Sequence, residues 1–412
     1  MNGDRELLPF SRWWLVGGGA IAMGMAGTYQ FVWSSIRSPL GVQIGASEAT
    51  LGTLFTLLII SQILSQFPTG WFRDRYGPRL PLFAGAILLA SGYAGLAVAP
   101  TPMIAAIAVI VGGTGAGATY TVAVNTPVKW FETHRGLATG VVTMMYSGLS
   151  VVLIPGIRGD VVLVFETTML VFAVLGAAAC LVGAFVLRDP PGTAFDPESG
   201  DSTSDDGADI VDSPTYTWRE SIRTWQFWVL YVVFAVVNGV GLMLIGKVIA
   251  FADSLGLSAA AATGAASIIA FADGAGVLIG GGISDRLGPI RTVGWALIVS
   301  AAGIASAVVV GGHGFAGVFV VLVGVAAFFR SPVFAVFPSL IGEYYGTAHS
   351  SENYALLYTG KVWGSIFAGT VTSILIASLG WTQSFFLGAG LLALAGIATL
   401  SVRPVDHSQT DR

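Results

Sequence analysis

Gly70-Trp71-Phe72-Arg73-Asp74-Arg75-Tyr76-Gly77-Pro78-Arg79 returns 211 residues later as Gly281-Gly282-Ile283-Ser284-Asp285-Arg286-Leu287-Gly288-Pro289-Ile290-Arg291. Each copy closes a long apolar run, and each carries an Asp-Arg pair followed two residues on by Gly-Pro. In a chain of 412 residues that interval is about half the length, so the spacing predicts a duplicated unit.

Reading outward from the two copies, the chain divides into apolar stretches of membrane-crossing length. A helix needs about 20 such residues to cross the hydrocarbon. Six stretches precede the middle, at 13–36, 49–72, 80–98, 103–128, 136–157 and 161–187. Six follow it, at 226–250, 258–283, 292–310, 314–341, 354–379 and 381–402. The composition agrees: 54% of residues are hydrophobic and 10% charged, where a soluble domain carries about 25% charged residues. The expectation is an all-α membrane protein of twelve helices in two six-helix pseudo-repeats. The stretch after Arg12 is of full spanning length and eleven more follow, so the N-terminus does not read as a removable signal peptide.

Lysine and arginine orient the chain. With the N-terminus cytoplasmic, fourteen basic residues fall on the inner side, and Arg37, Arg158 and Lys247 fall on the outer side or its border. Both termini are then expected in the cytoplasm, in a multi-pass protein of the cytoplasmic membrane. Between the sixth and seventh stretches lies a segment with Asp189, Asp196, Glu198, Asp201, Asp205, Asp206, Asp209 and Asp212 but no Lys or Arg before Arg219. It reads as a disordered acidic hinge. The expected organisation is a bundle at 1–188, a linker at 189–224, a second bundle at 225–403 and a tail at 404–412.

Several function classes are disfavoured. No basic tract suggests nucleic acid, and the net charge is only −4. Cys180 is the one cysteine, and His134, His313, His349 and His407 show no ligand spacing, so neither a disulfide nor a metal is expected. No nucleotide loop or nucleophile–base pair is present, which argues against an enzyme and against a cofactor.

The Gly-x-x-x-Asp-Arg-x-Gly loop resembles the signature of the major facilitator superfamily, where it lies between helices 2 and 3 and again between 8 and 9. The resemblance implies that Asp74, Arg75, Gly77, Asp285, Arg286 and Gly288 form a conformational gate, with the Asp and Arg touching neighbouring helix ends. A carboxylate near a helix N-terminus and a paired arginine are physically suited to this. Topology charges alone would account for the arginines but not for the repeated Asp and Gly. Lys129-Trp130-Phe131, Arg135-Gly136-Leu137-Ala138-Thr139-Gly140, Phe337-Pro338, Tyr345-Gly346, Asn353-Tyr354 and Leu357-Tyr358-Thr359-x-Lys361 are similar to the oxalate/formate antiporter family. The related monocarboxylate carriers have a similar loop between helices 4 and 5. That resemblance implies that Lys361, at the position of the helix 11 lysine, binds a substrate carboxylate. The oxalate carriers add a helix 8 arginine for the second carboxylate. Val277 stands at that place here, and Asp273 resembles the helix 8 aspartate of the monocarboxylate carriers.

Three formal charges fall deep inside the stretches: Asp273, Arg330 and Lys361. Glu166 and Lys247 fall near outer ends, where long side chains can snorkel. A charge at the midplane costs at least about 2.5–3.5 kcal/mol, so three imply pairing or contact with water. One acid and two bases leave a net +1 for an anion. The first half offers no midplane charge. Its polar candidates are Tyr29, Gln30, Trp33, Tyr120 and Tyr146, with Gln62 and Gln66; aromatic walls suit a small organic anion. The expected function is a secondary transporter of a small mono- or dicarboxylate, working as a monomer by alternating access, as antiporter or proton symporter. The alternatives are an exporter of hydrophobic cations, with Asp273 as the ligand, and a non-transporting membrane sensor.

Overall fold

The computed structural model describes residues 11–128, 130, 135–158, 165–189, 216–346 and 350–403. Among the described residues the regular structure is helical throughout. In lipid no water is available to backbone N–H and C=O groups, so a spanning segment must satisfy them internally.

The helices are α1 (Trp13–Phe31), α2 (Trp33–Ile44), α3 (Glu48–Tyr76), α4 (Arg79–Val98), α5 (Pro102–Val128), α6 (Arg135–Arg158) and α7 (Phe165–Val186). After the middle come α8 (Trp218–Ser221), α9 (Trp225–Ser254), α10 (Ala259–Leu287), α11 (Pro289–Gly312), α12 (Ala316–Arg330), α13 (Val333–Tyr345), α14 (Ser350–Tyr358), α15 (Gly360–Ile366), α16 (Thr372–Leu379) and α17 (Trp381–Ser401). A π turn, Phe367–Val371, joins α15 to α16. Ten stretches are long and apolar enough to cross a membrane, and α6 holds a shorter one, Gly140–Pro155. The twelfth crossing is α1 with α2. It is rich in glycine and buried almost all round, so it has little need of a lipid-facing apolar surface. The twelve-helix architecture is the one the spacing predicts.

The duplication is written into the backbone. The second crossing begins Gly45-Ala46-Ser47 and the eighth begins Gly256-Leu257-Ser258, again 211 residues apart. Gly45 and Gly256 both have positive φ, of 63° and 72°. Ser47 and Ser258 then cap their helices, accepting from Thr50 N–H at 3.3 Å and Ala261 N–H at 3.3 Å. At the far ends Gly77 and Gly288 have φ of 79° and 85° and reverse the chain before Pro78 and Pro289. A side chain is strained there, which accounts for the repeated glycine.

Helices before residue 189 pack mainly on one another, through α1 with α6, α3 and α4 with α5, and α4 with α7. Those after residue 216 do likewise, through α9 with α15, α10 with α12 and α11 with α17. Contacts between the two groups run through α6 with α10, α3 with α15 and the π turn, and α2 with α9. Most of the acidic segment lies outside the described residues; its borders make defined contacts. Asp189 Oδ1 accepts from Arg73 Nη2 at 2.7 Å, and Tyr216 N–H donates to Tyr345 O at 2.8 Å. Thr217 and Glu220 cap the short α8. Tyr216 also packs edge-on against Tyr345, with ring centroids 5.8 Å apart.

Three crossings that read as continuous are interrupted along their length. The first bends at Val32. The tenth breaks at Ser331-Pro332, where proline has no N–H to offer the Phe328 carbonyl and Ser331 N–H approaches it instead at 3.4 Å. The eleventh breaks at Thr359, whose N–H donates three residues back to Leu356 O at 3.1 Å.

Candidate functional site

The interruptions converge on a cavity of about 690 Å³ between the two groups of helices. Gln30 and Phe31 line it from the end of α1, Arg330 and Ser331 from the break in the tenth crossing, and Tyr358 and Lys361 from the two sides of the break in the eleventh. Asn238, Leu242 and Ile245 contribute from α9, and Asp273, Gly274 and Val277 from α10. Tyr120 and Tyr146 face it from α5 and α6. The lining runs on to Gly140 and Gly281, toward the end of the molecule that carries Arg286.

Asp273 and Arg330 are ion-paired. Ser331 Oγ donates to Asp273 Oδ1 at 2.6 Å, so the carboxylate has two donors from one helix break. Arg330 is the last residue of α12, where the helix dipole favours a cation. Gly241 makes room for it: a Cβ there would lie 2.3 Å from Arg330 Nη1. The guanidinium carbon sits 5.7 Å from the Phe334 ring centroid, and its Nε is buried without an acceptor.

Lys361 is differently placed. Its Nζ lies 5.6 Å from the Tyr358 ring centroid and donates to the Tyr358 hydroxyl at 3.4 Å, a long bond. Among the described residues no carboxylate pairs with it. The side chain is 8% exposed, and that exposure is toward the cavity. Asp273, Arg330 and Lys361 thus share one cavity with a formal charge of +1.

On the other wall Tyr146 is held from both sides. Its hydroxyl accepts from Gln62 Nε2 at 2.6 Å and donates to Gln30 Oε1 at 3.0 Å. Tyr120 packs edge-on against it, with centroids 5.3 Å apart.

Tyr29 and Trp33 are not among the cavity residues. The Tyr29 hydroxyl donates to Ala108 O at 3.2 Å, its ring lies 4.5 Å from that of Tyr93, and it fills a slot left by Gly92 and Gly112. Trp33 is stacked on Phe55 with centroids 5.6 Å apart. Both are interior packing of the first half. Their neighbours Gln30 and Phe31 take the lining positions, together with Asn238, Tyr354 and Tyr358.

Lys247 does not snorkel. Its Nζ donates to Glu48 Oε1 at 2.9 Å and to Ser373 Oγ at 2.7 Å. Arg37 pairs with the same Glu48. The expectation failed because Glu48 supplies a buried partner that a side chain at a membrane border would otherwise seek in water. Other contacts close the same end: Ile249 N–H donates to Ser34 Oγ at 3.2 Å, and Thr56 Oγ1 donates to Ser365 O at 3.1 Å and meets Thr370 Oγ1 at 3.2 Å. The cavity is therefore shut toward Glu48.

Of the gate residues, Gly77 and Gly288 are the two turn positions described above, and Arg75 and Arg286 are exposed. The side chains of Asp74 and Asp285 lie outside those described. The Arg73 side chain in this loop is buried and also reaches Thr126 Oγ1 at 3.2 Å.

Comparison with known proteins agrees with this architecture. The chain is 29% identical over 395 residues to the oxalate:formate antiporter of Oxalobacter formigenes, covering 94% of this chain and 90% of that one. It is 28% identical over 360 residues to an uncharacterized transporter of Escherichia coli K12, covering 86% of each. Among solved structures, a D-xylose–proton symporter superposes with a TM-score of 0.76 at 15% identity, over 96% of this chain and 98% of that one. A bacterial homologue of the human lysosomal transporter Spinster gives 0.74 at 15% identity, over 94% and 96%. The sequence model described as Major Facilitator Superfamily matches residues 15–248 and again 235–412. With twelve crossings, a repeated half and a cavity between the two groups of helices, the chain is a membrane transporter rather than an enzyme, and it belongs to the Major Facilitator Superfamily.

Proposed function

We propose that this transporter carries a small organic anion, one carboxylate at a time, by alternating access, and that Lys361 is the residue that grips it. The observation that carries the reading is the unpaired ammonium of Lys361 facing a cavity whose other cation already has a carboxylate. An ammonium without a counterion in a low-dielectric wall is costly, and a bound carboxylate removes that cost. Similarity to an oxalate:formate antiporter points to the same substrate class.

Charge counting narrows it. Asp273 neutralises Arg330, so one positive charge remains, which suits a monocarboxylate better than a dianion. The walls around Lys361 include Phe31, Tyr120, Tyr146, Phe334, Tyr354 and Tyr358, which suit an apolar body. The cavity volume lies in the ordinary range for small-molecule sites, about 300–1,000 Å³. Exchange follows simply: with anion bound the site is neutral and the bundles can rock; empty, it stays charged and waits. The rival reading, export of hydrophobic cations, needs an available carboxylate, and Asp273 is taken by Arg330 and Ser331. By positive-inside charge, the end closed by Glu48 faces outward and the cavity belongs to an inward-facing state.

The test is exchange into proteoliposomes of labelled formate, lactate, pyruvate, benzoate and oxalate. Single carboxylates should exchange better than oxalate. Lys361→Ala should weaken uptake by about 30-fold or more, since loss of a buried charge partner costs about 2–5 kcal/mol. Uptake that survives Lys361→Ala, or a chain that moves none of these anions, would overturn the reading. Proton coupling is settled by Asp273→Asn: loss of proton-driven uptake with exchange retained means symport.

A further inference from the structure

The closed end holds a second charge imbalance, separate from the cavity. Arg37 and Lys247 are 3% and 2% exposed, yet they share the single carboxylate of Glu48. The three residues are divided between the halves. Arg37 and Glu48 flank the Gly45 turn in the first half, while Lys247 and its hydroxyl partner Ser373 belong to the second.

Lys247 stands just above the cavity. It lies two residues beyond Ile245 on α9, whose Asn238, Leu242 and Ile245 are cavity lining. Ser373 lies beyond Lys361 on the eleventh crossing in the same direction. An anion moving between that end and Lys361 passes the Lys247–Ser373 pair. When the halves part here, Arg37 keeps Glu48, because both move together, whereas Lys247 loses its carboxylate. What remains is an ammonium held by the Ser373 hydroxyl, which accepts from it at 2.7 Å and gives its own proton to Gly369 O at 2.7 Å, so Lys247 Nζ is the donor left for the kind of group that Glu48 now presents to it.

We propose that Lys247, positioned by Ser373, forms an entry site for the carboxylate group of the transported anion, and that Glu48 occupies this site as a tethered carboxylate whenever that end is closed. The proposal rests on the anion-carrier reading. In this scheme Glu48 returns to Lys247 as the halves close, displacing the anion toward the second cation, Lys361. A carboxylate arriving from the Glu48 side competes with Glu48, so substrate itself favours the open state on that side.

Two substitutions separate this from a plain latch. KM for the carboxylate that the unaltered chain exchanges is measured from the Glu48 side and from the opposite side, in vesicles of defined orientation, for Lys247→Gln and Glu48→Gln. A plain latch makes the two equivalent across the seam: each breaks the Lys247–Glu48 pair that joins the halves, and both lower KM on the Glu48 side. The entry site makes them opposite. Lys247→Gln should raise KM on that side about tenfold, by removing the ligand, and Glu48→Gln should lower it, by removing the competitor. Lys247→Arg should restore much of the loss, which also shows that position 247 tolerates change. KM values that move together, or Lys247→Gln with no rise, overturn the entry site and leave the carrier reading intact. If the unaltered chain exchanges no carboxylate, both fall together.

Discussion

Arg330 has its own carboxylate in Asp273 and Lys361 has none among the described residues, and most of the chemistry follows from that difference. In Asp273→Asn, Arg330 becomes a buried charge without a partner, a loss of about 3–5 kcal/mol when one member of such a pair is removed. The variant should melt at lower temperature in detergent, and Asp273→Asn/Arg330→Gln should recover much of the loss. With two cations free, Asp273→Asn should also gain protection from oxalate in a thermal-shift assay, where the unaltered chain gains less. Tyr29 and Tyr146 give a second contrast. Tyr29→Phe loses one interior hydrogen bond, about 1 kcal/mol of stability, and leaves KM unchanged. Tyr146→Phe breaks the bridge between Gln62 and Gln30 at the cavity wall and should raise KM. Asp273, Arg330 and Lys361 could be picked out of the sequence because charge inside lipid is expensive and therefore rare. Tyr29 and Trp33 could not be sorted from Gln30 and Phe31. The first crossing is buried on nearly every face, so helical periodicity there carries no signal of which side meets the cavity.

Helix ends carry the duplication more strictly than helix faces do. Gly45, Ser47 and Gly77 recur at 256, 258 and 288, all at one interval, while most intervening side chains differ. The turn glycines sit at φ of 79° and 85° with extended ψ, a region that costs other residues about 1–3 kcal/mol. Gly288→Ala should lower the melting temperature, whereas Gly282→Ala, with nothing within 4 Å of the added methyl, should not. These turns were legible from Gly-Pro. The breaks at Val32, Ser331 and Thr359 were less so: Pro332 marks one, but the other two carry no proline at the break, and their interruption follows from packing around the cavity. Each break matters because half-helix ends bring polar groups to the cavity where continuous helices would hide them.

Taken whole, the molecule is closed where Glu48, Lys247, Thr56 and Thr370 meet, and it holds its cavity toward the other end. Alternating access requires that seam to open. Replacing Thr56 and Thr370 with cysteine, on a Cys180→Ala background, should allow a disulfide that stops exchange and is reversed by reductant; undiminished exchange after oxidation would mean the seam does not part. The seam was invisible in the sequence, since Arg37 and Lys247 read as border charges until Glu48 is seen between them. The most direct measurement concerns the surplus charge itself. On the same background Lys361→Cys should lose carboxylate exchange, and an ethylammonium methanethiosulfonate reagent, which returns a positive charge to that point, should restore it, while the sulfonatoethyl reagent should not. Exchange that persists in Lys361→Cys, or that both reagents restore alike, would contradict the account.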